Sequence, residues 1–146
     1  MPGRLSLKKI EGILFLDDSY NSNPVSFRAA LETLKNFSSK GKKAVVCGDM
    51  LELGDQSEFW HRQMGRLAAS VDPDFIVAAG SESKFLVEEA VKGGYDYSKI
   101  FHVKNSADAG KMCRQMAGAG DVVLVKGSRG TQMEKIFECF LSCSTP

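Results

Sequence analysis

Two uninterrupted apolar runs, Ile13-Leu14-Phe15-Leu16 and Val122-Val123-Leu124-Val125, constrain this chain more than any other feature. A strand with one wet face alternates apolar and polar residues. A run that is apolar at every position suits a strand covered on both sides. Such a sheet needs helices above and below it, and the intervening sequence supplies them. Lys43–Cys47, Phe75–Ala79 and Ile100–Val103 read as further strands. Between them lie stripes at helical spacing: Phe27, Ala30, Leu31, Leu34 and Phe37, then Trp60, Met64, Leu67, Ala68 and Val71. A helix over about Glu82–Val91 follows, then Met112, Cys113, Met116 and Ala117, and finally Met133, Ile136, Phe137, Phe140 and Leu141. Asn23 before Pro24, Ser57, and Asn105 or Ser106 are the expected helix caps. Ahead of all this, Leu5–Ile10 alternates and turns at Glu11-Gly12, as a half-exposed strand does.

The order β-β-α-β-α-β-α-β-α-β-α predicts an α/β fold. Its sheet is six-stranded and mostly parallel, with one antiparallel edge strand and helices on both faces. No linker or composition break divides it, so residues 1–146 are expected to form one domain. A chain of this size buries roughly 68–70% of its unfolded surface, enough for a core without staples. Whether those residues are a whole protein or a piece of one is not fixed by length.

Nineteen Lys and Arg against eighteen Asp and Glu leave a net charge of +1, which argues against nucleic acid or acidic membrane as a partner. No apolar stretch is long enough for a membrane span, and Met1-Pro2-Gly3-Arg4 does not begin a signal peptide. The four cysteines, Cys47, Cys113, Cys139 and Cys143, form no CxxC pair. With only His61 and His102 as additional ligands, no metal site is expected. Scattered thiols point to a reducing, cytoplasmic setting.

In open parallel sheets ligands sit beyond the carboxyl ends of the strands. Four polar segments follow strands there: Asp17-Asp18-Ser19-Tyr20-Asn21-Ser22-Asn23-Pro24, Gly48-Asp49-Met50-Leu51-Glu52-Leu53-Gly54-Asp55, Gly80-Ser81-Glu82-Ser83, and Lys126-Gly127-Ser128-Arg129-Gly130. The first exceeds what a turn needs, although turn chemistry with Asn23 as cap is the plainer reading. Asp49 and Glu52 read equally as solvated loop charges. The last has the stronger functional case. Glycines let backbone approach an anion, and Arg129 offers a bidentate grip. It is not a Walker loop, because GxxxxGK[ST] is absent. His61, beside Trp60 on a helix, is expected to be exposed or half-buried; His102 reads as structural. Asp18 and Arg129 are expected at solvent-facing strand ends, so that replacing either with alanine spares stability.

Taken in order, Asp17–Pro24, Gly48–Gly54 and Val125–Gly130 with Met133-Glu134 resemble the C-terminal domain of the Mur ligases, in the type that adds D-alanyl-D-alanine. Pro2-Gly3-Arg4-Leu5 is similar to the hinge entering that domain. The resemblance implies a Rossmann-like fold. It also implies a parent enzyme of peptidoglycan synthesis that uses ATP and Mg²⁺ to join D-alanyl-D-alanine to a UDP-MurNAc-tripeptide through an acyl phosphate. It assigns Arg4, Asp17, Asp18, Tyr20, Asn21 and Asn23 to nucleotide binding, with the acceptor side as the alternative for Tyr20, Asn21 and Asn23. Asp49, Glu52, His61, Lys126, Ser128 and Arg129 go to the substrate side. Ser22 stands where the family more often has alanine. The phosphate-cradling loop and metal-binding residues of that family belong to N-terminal and central domains that this sequence lacks. The chain is therefore expected to be a domain of a larger ligase and inactive alone. The competing readings are another amino-acid-adding ligase of the superfamily and a non-catalytic binding module. A receiver-like signalling domain is disfavoured because the third parallel strand ends Ala78-Ala79-Gly80-Ser81, with no phospho-accepting Asp.

Overall fold

The computed structural model describes the backbone of residues 5–143 and the side chains of residues 5–140. The hinge residue Arg4 lies outside the described residues. Along the chain run β1 (Ser6–Ile10), β2 (Ile13–Asp18), α1 (Pro24–Asn36), β3 (Lys43–Gly48), α2 (Ser57–Val71), β4 (Phe75–Ala79), α3 (Ser83–Lys92), β5 (Ile100–Val103), α4 (Ser106–Met116), β6 (Val122–Lys126) and α5 (Lys135–Cys143). The expected order of elements is the observed one.

The strands hydrogen-bond in the order β1-β2-β6-β3-β4-β5. Only β1 is antiparallel, pairing Leu7 with Leu16 at the sheet edge. Its turn places Glu11 at φ 53° and Gly12 at φ 80°, the two positive values that a type I′ hairpin requires. A side chain on Gly12 would also meet Ala119 Cβ at 2.8 Å. β4 and β6 bury every residue, the terminal Lys126 of β6 included. Alternate residues then feed two cores. Leu16, Val45, Ile76 and Leu124 pack under α1, α2 and α3. Phe15, Val46, Val77 and Val123 pack under α4 and α5. Phe15 meets Phe137 and Phe140 edge-on, with ring centroids 5.3 Å and 5.1 Å away. Each such pair adds about 0.5–1.5 kcal/mol beyond burial alone.

This topology creates a crevice. β6 lies between β2 and β3. The chain leaving β6 enters α5 on one face, whereas the chains leaving β2 and β3 enter α1 and α2 on the other. Connections that diverge from neighbouring strand ends leave the opening in which open α/β sheets hold ligands.

On the far side, α2 and α3 are clasped by ion pairs. The Glu89 carboxylate, 5% exposed, meets Arg66 at 2.7 Å and Arg62 at 3.4 Å, and Arg62 also reaches Glu58 and Glu88. The hydrogen bond from Arg66 holds the Glu89 carboxyl below its ordinary value of 4.5, against the opposing effect of burial. A depressed carboxyl contributes stability that is complete above its unfolded value and lost as pH falls through the folded one. Glu89→Gln is accordingly expected to be less stable than wild type near neutrality. The gap in denaturant midpoint should close as the pH is taken below 4.5. A gap independent of pH would show that the clasp acts through packing rather than charge.

Candidate active-site crevice

The loop after β2 is shaped by its own side chains. Asp17 is buried, pairs with Lys8 at 2.9 Å and accepts from the Ser19 hydroxyl at 2.6 Å. Asn23 caps α1 through a complete capping box: its Oδ1 accepts from Ser26 N–H at 2.9 Å, and the Ser26 hydroxyl accepts from Asn23 N–H at 3.1 Å. Pro24 occupies the first helical turn, where a missing N–H costs nothing.

The loop after β6 locks the other two in place. Lys126 is fully buried, and its ammonium donates to Asn21 C=O at 2.5 Å and to Ser26 Oγ at 2.9 Å. The same ammonium pairs with Asp18 at 2.9 Å. Burial lowers the Lys126 pKa, with Asp18 opposing the shift. Ser128, also buried, accepts from Leu51 N–H at 3.1 Å and donates to Ser22 C=O at 3.3 Å. One hydroxyl thus ties the loops after β2, β3 and β6 together. Beneath them sits Met133, buried so tightly that a Cβ on Gly48 would approach its Sδ to 2.9 Å.

The loop after β3 has two further anchors. His61 Nε2 accepts from Met50 N–H at 3.0 Å, which leaves the ring proton on Nδ1 to donate to Ser57 C=O at 2.8 Å. Asp49 accepts from Ser83 N–H and from the Ser83 hydroxyl, both at 2.8 Å, and from Glu82 N–H at 3.2 Å. Its carboxylate therefore satisfies free N–H groups at the start of α3, where negative charge is favoured.

These placements revise several expectations. His61 is 1% exposed rather than half-exposed, because one ring nitrogen is claimed by the Met50 amide of the preceding loop and the other by the Ser57 carbonyl one turn back in α2. Ser57 is the first residue of α2 and makes no capping bond; a short 3₁₀ turn, Gly54–Gln56, leads into the helix instead. Lys126, expected to face substrate, is sealed inside. Asp18 is only 13% exposed and neutralises that buried cation, so it is not a free strand-end carboxylate. Asp17, Asp49 and Ser128 are likewise buried and engaged. What the crevice presents to solvent is Tyr20, Asn21, Leu51, Glu52 and Arg129, with Asn23 half-buried. Glu52 holds a positive φ of 63° in the exposed loop. Asp18, Asn21 and Asn23 also line a cavity of about 890 Å³ against Pro24, Leu53 and Trp60. Ser26 and Met133 are further loop anchors that the strand-end segments do not include. The spacing of Ser26 three residues after Asn23 was the available signal.

One buried polar atom is unsatisfied. Ser22 Oγ is without a hydrogen-bond partner among the described residues, in a side chain that is 3% exposed. An orphaned buried hydroxyl costs about 1–3 kcal/mol. Ser22→Ala is therefore expected to hold or raise the melting temperature, while the Ser22 carbonyl keeps its bond from Ser128. A clear drop on thermal denaturation would reveal a partner for the hydroxyl.

Among the described residues no group of three or more His, Cys, Asp or Glu is arranged to hold a metal ion. Among the described residues no helix is long and apolar enough to cross a membrane.

A family model for the Mur ligase, glutamate ligase domain matches residues 3–129. The chain is 34% identical over 134 residues to the UDP-N-acetylmuramoyl-tripeptide–D-alanyl-D-alanine ligase of Bacillus subtilis, covering 91% of this chain and 29% of that protein. It is 33% identical over 139 residues to the enzyme of the same name from Escherichia coli, covering 93% and 29%. Among solved structures it matches MurF from Acinetobacter baumannii with a TM-score of 0.81 and 33% identity, over 96% of this chain and 30% of that one. It matches MurF ligase from Thermotoga maritima, in complex with ADP, with a TM-score of 0.78 and 29% identity over 97% and 31%. The chain thus spans about 30% of the length of the relatives it matches. With the family match, the observed sheet and the ordered loops in agreement, the chain belongs to the Mur ligase family as a C-terminal domain similar to that of MurF.

Proposed function

We propose that this chain is the C-terminal domain of an ATP-dependent, amide-forming ligase of cytoplasmic peptidoglycan synthesis that adds D-alanyl-D-alanine to a UDP-MurNAc-tripeptide. The observation that carries the reading is the exposed Arg129 guanidinium, set on a rigidly tied loop at the switch-point crevice of a chain similar to MurF.

In that reaction ATP phosphorylates the terminal carboxylate of the tripeptide. The dipeptide amine then attacks the acyl phosphate, the new C–N bond forms as the C–O bond breaks, and phosphate leaves. Catalysis of this kind is mostly positioning and charge neutralisation. Arg129 would grip an oxyanion: phosphoryl group or dipeptide carboxylate. Asp18, Tyr20, Asn21 and Asn23 would line the nucleotide side, where the cavity beside α1 offers acceptors and amides next to apolar walls. Glu52 would border the acceptor side. Asp17, Asp49, His61, Lys126 and Ser128 would serve the site by holding its loops, because their polar atoms are already committed. The donor set described above does not fit Mg²⁺ by itself, so metal and phosphate chain would be held mainly by N-terminal and central domains of the kind the longer relatives have.

A titration of the ¹⁵N-labelled chain with ADP and with D-alanyl-D-alanine tests the assignment. Shifts are expected at Tyr20, Asn21, Asn23 and Arg129, with weak affinity. Ligands that leave these signals unmoved refute it. A coupled ATPase assay with both substrates should show no turnover by the chain alone; turnover would overturn its dependence on further domains.

A further inference from the structure

Arg129 begins a single 3₁₀ turn, Arg129–Thr131, and reaches across the crevice to the loop after β2. Its guanidinium carbon lies 5.2 Å from the centroid of the Tyr20 ring, and Nη1 lies 3.4 Å from the Tyr20 hydroxyl oxygen, to which it donates. Both residues are exposed, Tyr20 at 44%. The backbone under each is already fixed. Ser128 is bonded to Ser22 C=O and to Leu51 N–H, and its own carbonyl accepts from Thr131 N–H at 2.9 Å and from the Thr131 hydroxyl at 2.6 Å. What remains loose at such a site is the long arginine side chain. An exposed arginine has several rotatable bonds, and a ligand that grips it must first arrest them.

We infer that Tyr20 is a positioning residue: its ring and hydroxyl hold the Arg129 guanidinium across the crevice, one N–H committed to the Tyr20 hydroxyl and the remaining N–H groups left for an incoming oxyanion. The chemistry supports this division of donors. A guanidinium carries five N–H donors, so contact with the Tyr20 ring and one bond to its hydroxyl still leave donors for a carboxylate or phosphate. A lysine at this position would have no face to stack in that way. The stack itself is independent of the proposed function; only the identity of the anion rests on that reading.

The test uses the ¹⁵N-labelled chain. The Arg129 Nε–Hε signal, assigned by its loss in Arg129→Lys, is expected to be displaced by the ring current of Tyr20. Tyr20→Phe should retain the displacement and Tyr20→Leu should abolish it, with the amide spectrum otherwise preserved in both. Inorganic phosphate and D-alanyl-D-alanine are then titrated separately, which separates a phosphate source from a carboxylate source. An exposed cation–π contact corresponds to about a two- to fivefold weakening of the preferred anion in Tyr20→Leu. Tyr20→Phe should restore most of it, a rescue that a merely structural tyrosine would not show. An Arg129 signal in Tyr20→Leu at the wild-type position overturns the inference, as does equal affinity in wild type and Tyr20→Leu for an anion that moves Arg129. A ring-current displacement that behaves as expected while neither anion moves Arg129 upholds the positioning and counts instead against the proposed function.

Discussion

Lys126→Met is expected to destabilise the domain by about 3–5 kcal/mol, the usual result of breaking a buried ion pair from one side. At about 3 °C per kcal/mol for a domain of this size, the melting temperature should fall by roughly 9–15 °C. The methionine fills similar volume, so the loss is electrostatic. The Asp18 carboxylate, 13% exposed, would be left without its cation, and Asn21 C=O and Ser26 Oγ would lose a donor. Circular dichroism during thermal unfolding measures it; a fall of under about 1 kcal/mol would mean that the ammonium is replaceable by water. Combining the change with Asp18→Asn should cost less than the sum of the two singles, by about 1–3 kcal/mol, because each mutation leaves the other's partner stranded. The pH dependence supplies an independent check. Burial lowers the Lys126 pKa from its ordinary 10.5, so in the window just below that value the unfolded chain carries more protons than the folded one. Stability then rises with pH across the window, and wild type should gain on Lys126→Met as pH approaches 10.5.

The same pair explains why Asp18→Ala is not a silent surface change, contrary to its expectation as a solvent-facing strand end. Turnover lost in that variant would mix a missing nucleotide contact with a loosened loop. Asp18→Asn, which keeps the shape and one acceptor, separates them better.

The element order was legible because burial dictates it locally. Ile13–Leu16 and Val122–Val125 are apolar at every position, and both are strands, fully buried in Val122–Val125 and buried at all but the half-buried Leu14 in Ile13–Leu16. Asn23-Pro24 announced its helix for equally local reasons, since cap and proline act within one turn. The polar segments at the strand ends did converge on one edge. What local pattern does not carry is which of their charges point out. Lys126 ends an apolar run as an exposed cation would, and its acceptor at Asn21 lies 105 residues away in sequence. His61 shows the same limit. Its helical phase next to Trp60 suggested partial exposure, but the group that draws it inward is the Met50 amide, in a loop whose path is set by tertiary contacts. Residues with a single strong local cause were readable, and residues claimed by a distant backbone group were not.

Arg129→Ala should produce the opposite profile from Lys126→Met, although the two cations are three residues apart. Arg129 is exposed, and its described partner is the ring and hydroxyl of Tyr20, itself 44% exposed. Truncation removes a surface stack and strands no buried charge, so the melting temperature should move by no more than about 2 °C, within the range for surface substitutions. Function should respond differently. In a full-length ligase carrying this domain, loss of a preorganised donor to a developing oxyanion lowers turnover by about 10²–10³-fold. Arg129→Lys should recover only part of it, since a point charge neither stacks on Tyr20 nor donates through a planar fork. Steady-state ligation rates beside thermal unfolding of the same variants measure both halves. Near-normal turnover in Arg129→Ala would remove the guanidinium from the proposed chemistry. A large fall in melting temperature would instead return it to the structural set with Lys126. The contrast follows from burial: over the three-residue step from the end of β6 to the following 3₁₀ turn, the cation whose hydrogen bonds are spent inside the domain holds the crevice together, and the one left in solvent has donors to give a ligand.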